Sequence, residues 1–113
     1  MAAISTQLKK GVLEYCVLAL IDAKSRYGFE LVQLLSSVDG LLISDGTVYP
    51  LLSRMRADGL VETEWRQSDE GRPRRYYRVS PAGKAALSEF RAEWERFRSA
   101  VDTVLEGKQG GRK

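Results

Sequence analysis

From Leu87 to Val104 an apolar residue recurs every three or four positions: Leu87, Phe90, Trp94, Phe97, Val101 and Val104. Alternating steps of three and four put all six on one stripe of an α-helix over nearly three heptads, the pattern that lets two helices pack along a single line. Ser80-Pro81 supplies the start, a capping hydroxyl followed by a proline at the first helical position. A helix from Pro81 to about Glu106 would be roughly 40 Å long at 1.5 Å per residue. It is too long, and too apolar along one side, to stand alone in water. Its partner is the chain's own first helix, a second copy of the chain, or both. We expect both, with two copies crossing near Trp94 and these six residues forming the dimer seam.

A chain of 113 residues leaves room for one domain, or one domain with an appended element. Its hydrophobic fraction of 43% and charged fraction of 29% are those of a folded globular protein. The core such a length can build is modest, so pairing would help it bury more surface. No apolar run reaches the length of a membrane span, and Met1 to Leu8 lacks the layout of a signal peptide, so a cytoplasmic protein with no membrane partner is expected. Cys16 is the single cysteine and there is no histidine. An intrachain disulfide is excluded, and the commonest general base and transition-metal ligand are missing. Glu14, Asp22, Glu30, Asp45 and Asp58 are scattered over surface-like positions, and no GxxxxGK[ST] phosphate loop occurs. No enzyme, metal or cofactor is expected.

Along the chain, Ser5 or Thr6 can cap a first helix whose Leu13, Cys16, Val17 and Leu20 share one face. Cys16 there reads as a small buried hydrophobe. A second helix begins near Tyr27, with Leu31, Leu34, Leu35 and Val38 repeating the spacing and Gly40 just past its end. Ser44 suits the N-cap of a third helix, in which Val48, Leu51, Leu52 and Met55 form the apolar face and Gly59 marks the stop. Pro50 is a local misfit: its ring presses on the carbonyl four residues back, at Gly46, where obstruction is least. In LVETEWR, residues 60–66, Val61, Thr63 and Trp65 alternate with charged residues, as in a half-buried strand. After the turn QSDEGRP, a second strand carries Arg74, Tyr76 and Arg78 on one face and Arg75, Tyr77 and Val79 on the other. Tyr77 and Val79 would pack inward with Val61 and Trp65. The tail from Gly107 is short, basic and low in complexity.

Three short helices, a two-stranded hairpin and a long helix form a mainly α (α+β) order, that of a winged helix-turn-helix with a C-terminal dimerisation helix. The expected division is 1–80 for the winged unit, 81–106 for the helix and 107–113 for a basic tail. Net charge is only +3, but Arg66, Arg72, Arg74, Arg75 and Arg78 cluster against Asp69 and Glu70. Such a run on a hairpin is either a solvated face or a wing lying on a DNA backbone, where planar guanidinium donors match phosphate oxygens. A recognition-like helix directly upstream favours the wing. In helix-turn-helix proteins that helix enters the major groove by its N-terminal residues. With the apolar face fixed, the opposite face carries Gly46, Pro50 and Ser53, flanked by Thr47, Tyr49, Arg54 and Arg56. The candidate DNA contacts are therefore Ser44, Gly46, Thr47, Tyr49, Pro50, Ser53 and Arg54 on the helix, and Arg72, Arg74 and Arg75 on the wing. The competing reading, a winged-helix module used only for protein contacts, would want an apolar patch where Gly46, Pro50, Ser53 and Arg56 stand.

The stretches LKKGVLEYCVLALI, YGFELVQLL, SDGTVYPLLSRMRADGLVETEW and GRPRRYYRVSPAGK together resemble the PadR family of transcriptional regulators, from about Leu8 to Ala85. GTVYPLL, misfit proline included, and GRPRRYYRVSPAG carry the resemblance. It implies a dimeric repressor whose winged helix-turn-helix binds double-stranded DNA at a dyad-symmetric operator. A single C-terminal helix is similar to the smaller PadR subfamily. In some of its members the dimer encloses a hydrophobic pore in which a tryptophan of that helix stacks on flat aromatic compounds. Trp94 occupies the corresponding place, with Phe90, Phe97 and Arg98 around it, and the resemblance extends the expectation to a small aromatic or amphipathic effector. Aromatic residues at helical spacing are mostly packing, so Trp94 is also read as a knob filling the dimer interface, and the two roles can coexist.

Overall fold

A computed structural model describes residues 11–39, 41, 43 and 45–107. The expected caps at Ser5 or Thr6 and at Ser44, the stop at Gly40 and the tail beyond Gly107 lie outside the described residues. Among the described residues, four helices and a three-stranded antiparallel sheet follow in the order α1 (Leu13–Ala23), β1 (Arg26–Tyr27), α2 (Gly28–Ser36), α3 (Asp45–Ala57), β2 (Val61–Arg66), β3 (Arg74–Val79) and α4 (Pro81–Leu105). The chain forms a winged helix-turn-helix with a long C-terminal helix.

The third helix follows its sequence pattern closely. Val48, Leu51, Leu52 and Met55 are all buried, and Pro50 stands exposed on the opposite side. On α1 the covered surface is wider than the expected face. Leu13, Val17, Leu18 and Ile21 are buried, while Cys16 and Leu20 are half-buried against the same core. Burial pushes the Cys16 thiol pKa up. On α2, Leu31 and Leu35 are buried, but the helix stops at Ser36, so Val38 falls beyond it and is exposed.

The expected two-stranded wing is present as β2 and β3, and a short third strand, β1, joins it. The sheet order is β1-β3-β2, with Arg26 opposite Tyr77 and Tyr27 opposite Tyr76. Two residues are too short to show an alternation, which is why β1 has no signature in the sequence. The β2–β3 register pairs Val61 with Val79 and Trp65 with Arg75. Val61, Tyr77 and Val79 close the core, as expected. Trp65 does not: it is 63% exposed. Strand alternation sets its side of the sheet correctly, but the ladder runs on past the end of the core, and Trp65 lies on that overhang.

The root of α4 is tightly held. Ser80 Oγ accepts from the Gly83 N–H at 3.0 Å and donates to the Gly59 carbonyl at 2.6 Å, while the Ser80 N–H donates to the Leu60 carbonyl at 3.0 Å. Gly83 lies so close to the Leu60 carbonyl oxygen and the Val79 side chain that a Cβ would overlap both. Leu87 is buried against its own domain, and Phe90 lies face to face with Tyr15, ring centroids 4.1 Å apart and planes within 1°. From Arg91 to Leu105 every residue except the half-buried Thr103 is exposed. Among the described residues no helix is long and apolar enough to cross a membrane, and no His, Cys, Asp and Glu residues group as metal ligands.

Candidate nucleic-acid interface

Burial of Val48, Leu51, Leu52 and Met55 turns Gly46, Thr47, Tyr49, Pro50, Ser53, Arg54 and Arg56 outward on α3. Two of them are also tied to the body. The Tyr49 ring lies over Gly28, the first residue of α2, so closely that a Cβ there would strike it. Tyr49 therefore locks the two helices of the helix-turn-helix together while its outer edge stays open. Arg54 reaches Glu14 on α1 at 3.6 Å, an exposed pair of little energetic weight.

The wing consists of β2, β3 and the turn between them, and its arginines divide by job. On the outer face Arg78 bridges Glu62 at 3.1 Å and Glu64 at 2.9 Å, and Arg66 pairs with Glu64 at 2.8 Å. The hydrogen bond from Arg66 and its charge, with a smaller contribution from Arg78, hold the Glu64 carboxyl below the usual carboxylate pKa. The Arg66 guanidinium also lies 4.3 Å over the Tyr76 ring, which meets Tyr27 edge-on at 5.3 Å. Arg74 covers Tyr27 at 4.4 Å and pairs with Glu70 at 2.7 Å. These three arginines and two tyrosines are struts that stiffen a short ribbon. Glu62 and Glu64 are the partners the sequence reading missed, although strand alternation puts them across from Arg78.

Arg72 and Arg75 are differently placed. At the tip Gly71 takes a left-handed φ of 91°, and the Ser68 hydroxyl donates to the Arg72 carbonyl. The turn so closed projects Arg72, which is exposed and has no ion pair among the described residues. Arg75 lies on the inner face, its guanidinium 4.9 Å over the Trp65 ring.

On α4 the stack continues from Phe90 to Trp94 at 5.9 Å and to Phe97 at 6.4 Å. Trp94, Phe97, Val101 and Val104 are exposed along one stripe. Arg98, expected beside an effector, is gripped by both oxygens of Glu95 at 2.7 and 2.8 Å and by Asp102 at 3.4 Å. The Glu95 hydrogen bond and charge raise its pKa further, so its charge is already answered.

The PadR-like family of transcriptional regulators matches residues 17–89. The chain is 31% identical over 106 residues to an uncharacterised protein of Lysinibacillus sphaericus, covering 92% of this chain and 97% of that one. It is 50% identical over 62 residues to transcriptional regulator Rv3488 of Mycobacterium tuberculosis, 55% of this chain and 57% of that one. Among solved structures, a PadR-like transcriptional regulator from Bacillus cereus superposes with a TM-score of 0.81 at 36% identity, covering 93% of this chain and 99% of that chain. A PadR family regulator from Eggerthella lenta gives 0.77 at 34%, covering 89% and 88%. Family members are transcriptional regulators rather than enzymes. With its winged helix-turn-helix, outward-facing third helix and matching sequence over most of its length, the chain belongs to the PadR-like family of transcriptional regulators.

Proposed function

We propose that two copies of the chain pair through α4 and bind duplex DNA at a dyad-symmetric operator, repressing transcription by occupying it. The observation that carries the pairing is the uncovered stripe of Trp94, Phe97, Val101 and Val104. Burying an apolar side chain fully is worth about 1.5–3 kcal/mol. Two partly covered stripes of four therefore offer on the order of 10 kcal/mol against the roughly 4–15 kcal/mol that association costs. In this reading residues 1–80 are the DNA-binding unit, 81–106 the dimerisation helix and 107–113 a basic tail, and the protein works in the cytoplasm.

On DNA, Ser44, Gly46, Thr47, Tyr49, Pro50, Ser53 and Arg54 face the major groove, while Arg72, Arg74 and Arg75 meet the backbone. Arg72 contributes most, because no carboxylate among the described residues pairs with it; Arg74 contributes less, because Glu70 does. The protein-contact alternative is disfavoured by the exposed face of α3, where Tyr49 is the one large apolar side chain. An effector fits this reading as a flat aromatic compound stacked on Trp94 between Phe90 and Phe97, favouring a dimer geometry that cannot span the operator. The answered charge of Arg98 favours a neutral compound over an acid.

The test is duplex affinity as a function of salt, read beside sedimentation of the free protein. Log affinity should fall by about 0.9 per log unit of salt for each phosphate neutralised, and replacing Arg72, Arg74 and Arg75 by alanine should flatten that slope. A triple variant with the wild-type slope removes the wing from the DNA. A protomer that stays single at micromolar concentration removes the dimer.

A further inference from the structure

Between the wing, the first turn of α2 and α3 lies an open cleft of about 570 Å³ whose walls include Tyr27, Phe29, Tyr49, Trp65, Arg75 and Tyr77. Five of these six are aromatic, an unusual wall for a charged hairpin. Phe29, Tyr49 and Trp65 are 54%, 44% and 63% exposed, so the protomer leaves their faces uncovered. Two further lining residues, Arg74 and Glu70, cancel each other in an ion pair of 2.7 Å. Arg75 has no such partner among the described residues. Its guanidinium rests on Trp65, and its Nε–H is buried with no acceptor. A buried donor without an acceptor is costly, and a guanidinium with no carboxylate partner among the described residues is left to pair with an anion from outside through its terminal nitrogens.

The chemistry the cleft lacks is an anion with an apolar body attached. It opens between two elements assigned to DNA: Tyr49 belongs to α3, and Arg74 and Arg75 to the wing. A duplex backbone presents that combination, a phosphate joined to a deoxyribose whose edge is largely hydrocarbon. We propose that this cleft grips one phosphate and its adjoining deoxyribose of duplex DNA, with Arg75 holding the phosphate and Trp65 and Phe29 packing on the sugar. The inference rests on the DNA-binding reading above and adds to it α2 and two aromatic residues that no helix-turn-helix pattern in the sequence marks. A contact of this kind fixes the protein's register on the duplex and carries no base preference. A mixed-sequence duplex is therefore a sufficient probe.

The experiment measures affinity for a mixed-sequence duplex of about 30 base pairs, three helical turns, over a range of salt. Arg75→Gln should reduce the salt slope by about 0.9, one phosphate's share. Trp65→Ala should weaken binding about tenfold through lost apolar contact with little change in slope, and Trp65→Phe should recover part of that loss. In a Trp94→Phe background, the emission of Trp65 should change on adding duplex. Thermal melts confirm that the exposed substitutions leave the fold intact. If Trp65→Ala and Phe29→Ala bind as wild type while Arg72→Ala weakens, the cleft is overturned and the DNA-binding reading stands. If the wild-type chain leaves every duplex unbound at low salt, both are overturned.

Discussion

Replacing Gly83 by alanine should destabilise the protein, although the same change in most helix interiors stabilises. Gly83 is the third residue of α4, and by intrinsic propensity alanine is better there by about 1 kcal/mol. In this fold, however, a Cβ at that position would overlap the Leu60 carbonyl oxygen, a backbone atom that cannot swing aside, as well as the Val79 side chain. Overpacking of this kind costs about 1–3 kcal/mol. Moving the helix away strains three bonds at once: Gly83 N–H to Ser80 Oγ, Ser80 N–H to Leu60 and Ser80 Oγ–H to Gly59. Loss of a serine cap alone costs about 1 kcal/mol. The net expectation is a loss of about 1–3 kcal/mol, a fall in Tm of about 4–13 °C for a domain of this size. Urea melts at one fixed protein concentration measure it, since the proposed pairing would make stability concentration-dependent. Ser88→Ala, exposed on the same helix, is the control and should stabilise by about 0.5 kcal/mol. A Gly83→Ala protein as stable as the wild type would refute the close approach of α4 to Leu60, and with it the fixed angle at which the helix leaves the body.

Phe97→Asp should leave the protomer folded, because Phe97 is exposed within it, yet weaken the proposed dimer at least a hundredfold: symmetry places the change twice in the interface, at about 1.5 kcal/mol or more each. Sedimentation equilibrium reads the shift, and an unchanged dimer would move the seam elsewhere. Gly28→Ala should cost less than about 2 kcal/mol, since the ring it meets has an open side, but it should displace Tyr49 and reduce duplex affinity several-fold; wild-type affinity would mean Tyr49 is packing alone. Glu64 should titrate below the ordinary glutamate value of about 4.3. Because its pKa is lowered on folding, its small contribution to stability is present above that value and lost as the pH falls through the folded one. Arg66→Gln should bring the NMR titration midpoint of Glu64 back up, and a midpoint indifferent to Arg66 would contradict the pairing.

Periodicity made the third helix legible, because Val48, Leu51, Leu52 and Met55 follow one another without interruption and all four are buried. Alternation likewise placed Val61, Tyr77 and Val79 on the inner face. What stayed hidden depends on distance along the fold rather than on local pattern. β1 is two residues long and its partner strand lies some fifty positions later, so nothing local announces it. Alternation assigns Trp65 to a side but cannot say where the core beneath that side ends. The arginine run looked uniform in sequence and divided only when the register brought Glu62 and Glu64 across from Arg78 and left Arg72 at the tip. The close fit of Gly28 to Tyr49 joins two helices across the motif's turn, and neither residue type signals it alone.

In the proposed dimer the helix that begins at Ser80-Pro81-Ala82-Gly83 would act as a lever. With 25 residues, α4 is about 37 Å long. Its first three turns are clamped by the Ser80 bonds, the Gly83 contact, buried Leu87 and the Tyr15–Phe90 stack, and the remainder extends free with its stripe bare. On the proposed dimer, two recognition helices must stand about 34 Å apart to meet successive turns of the major groove. A lever of about 37 Å that tilts about 5° at its root moves its far end by about 3 Å, enough to misplace a side chain from a base edge. In that dimer, tight packing at the root would convert pairing along the helix into a defined span on DNA. Any effector stacked on Trp94, just beyond the clamp, need only favour a slightly different crossing angle to lose that span.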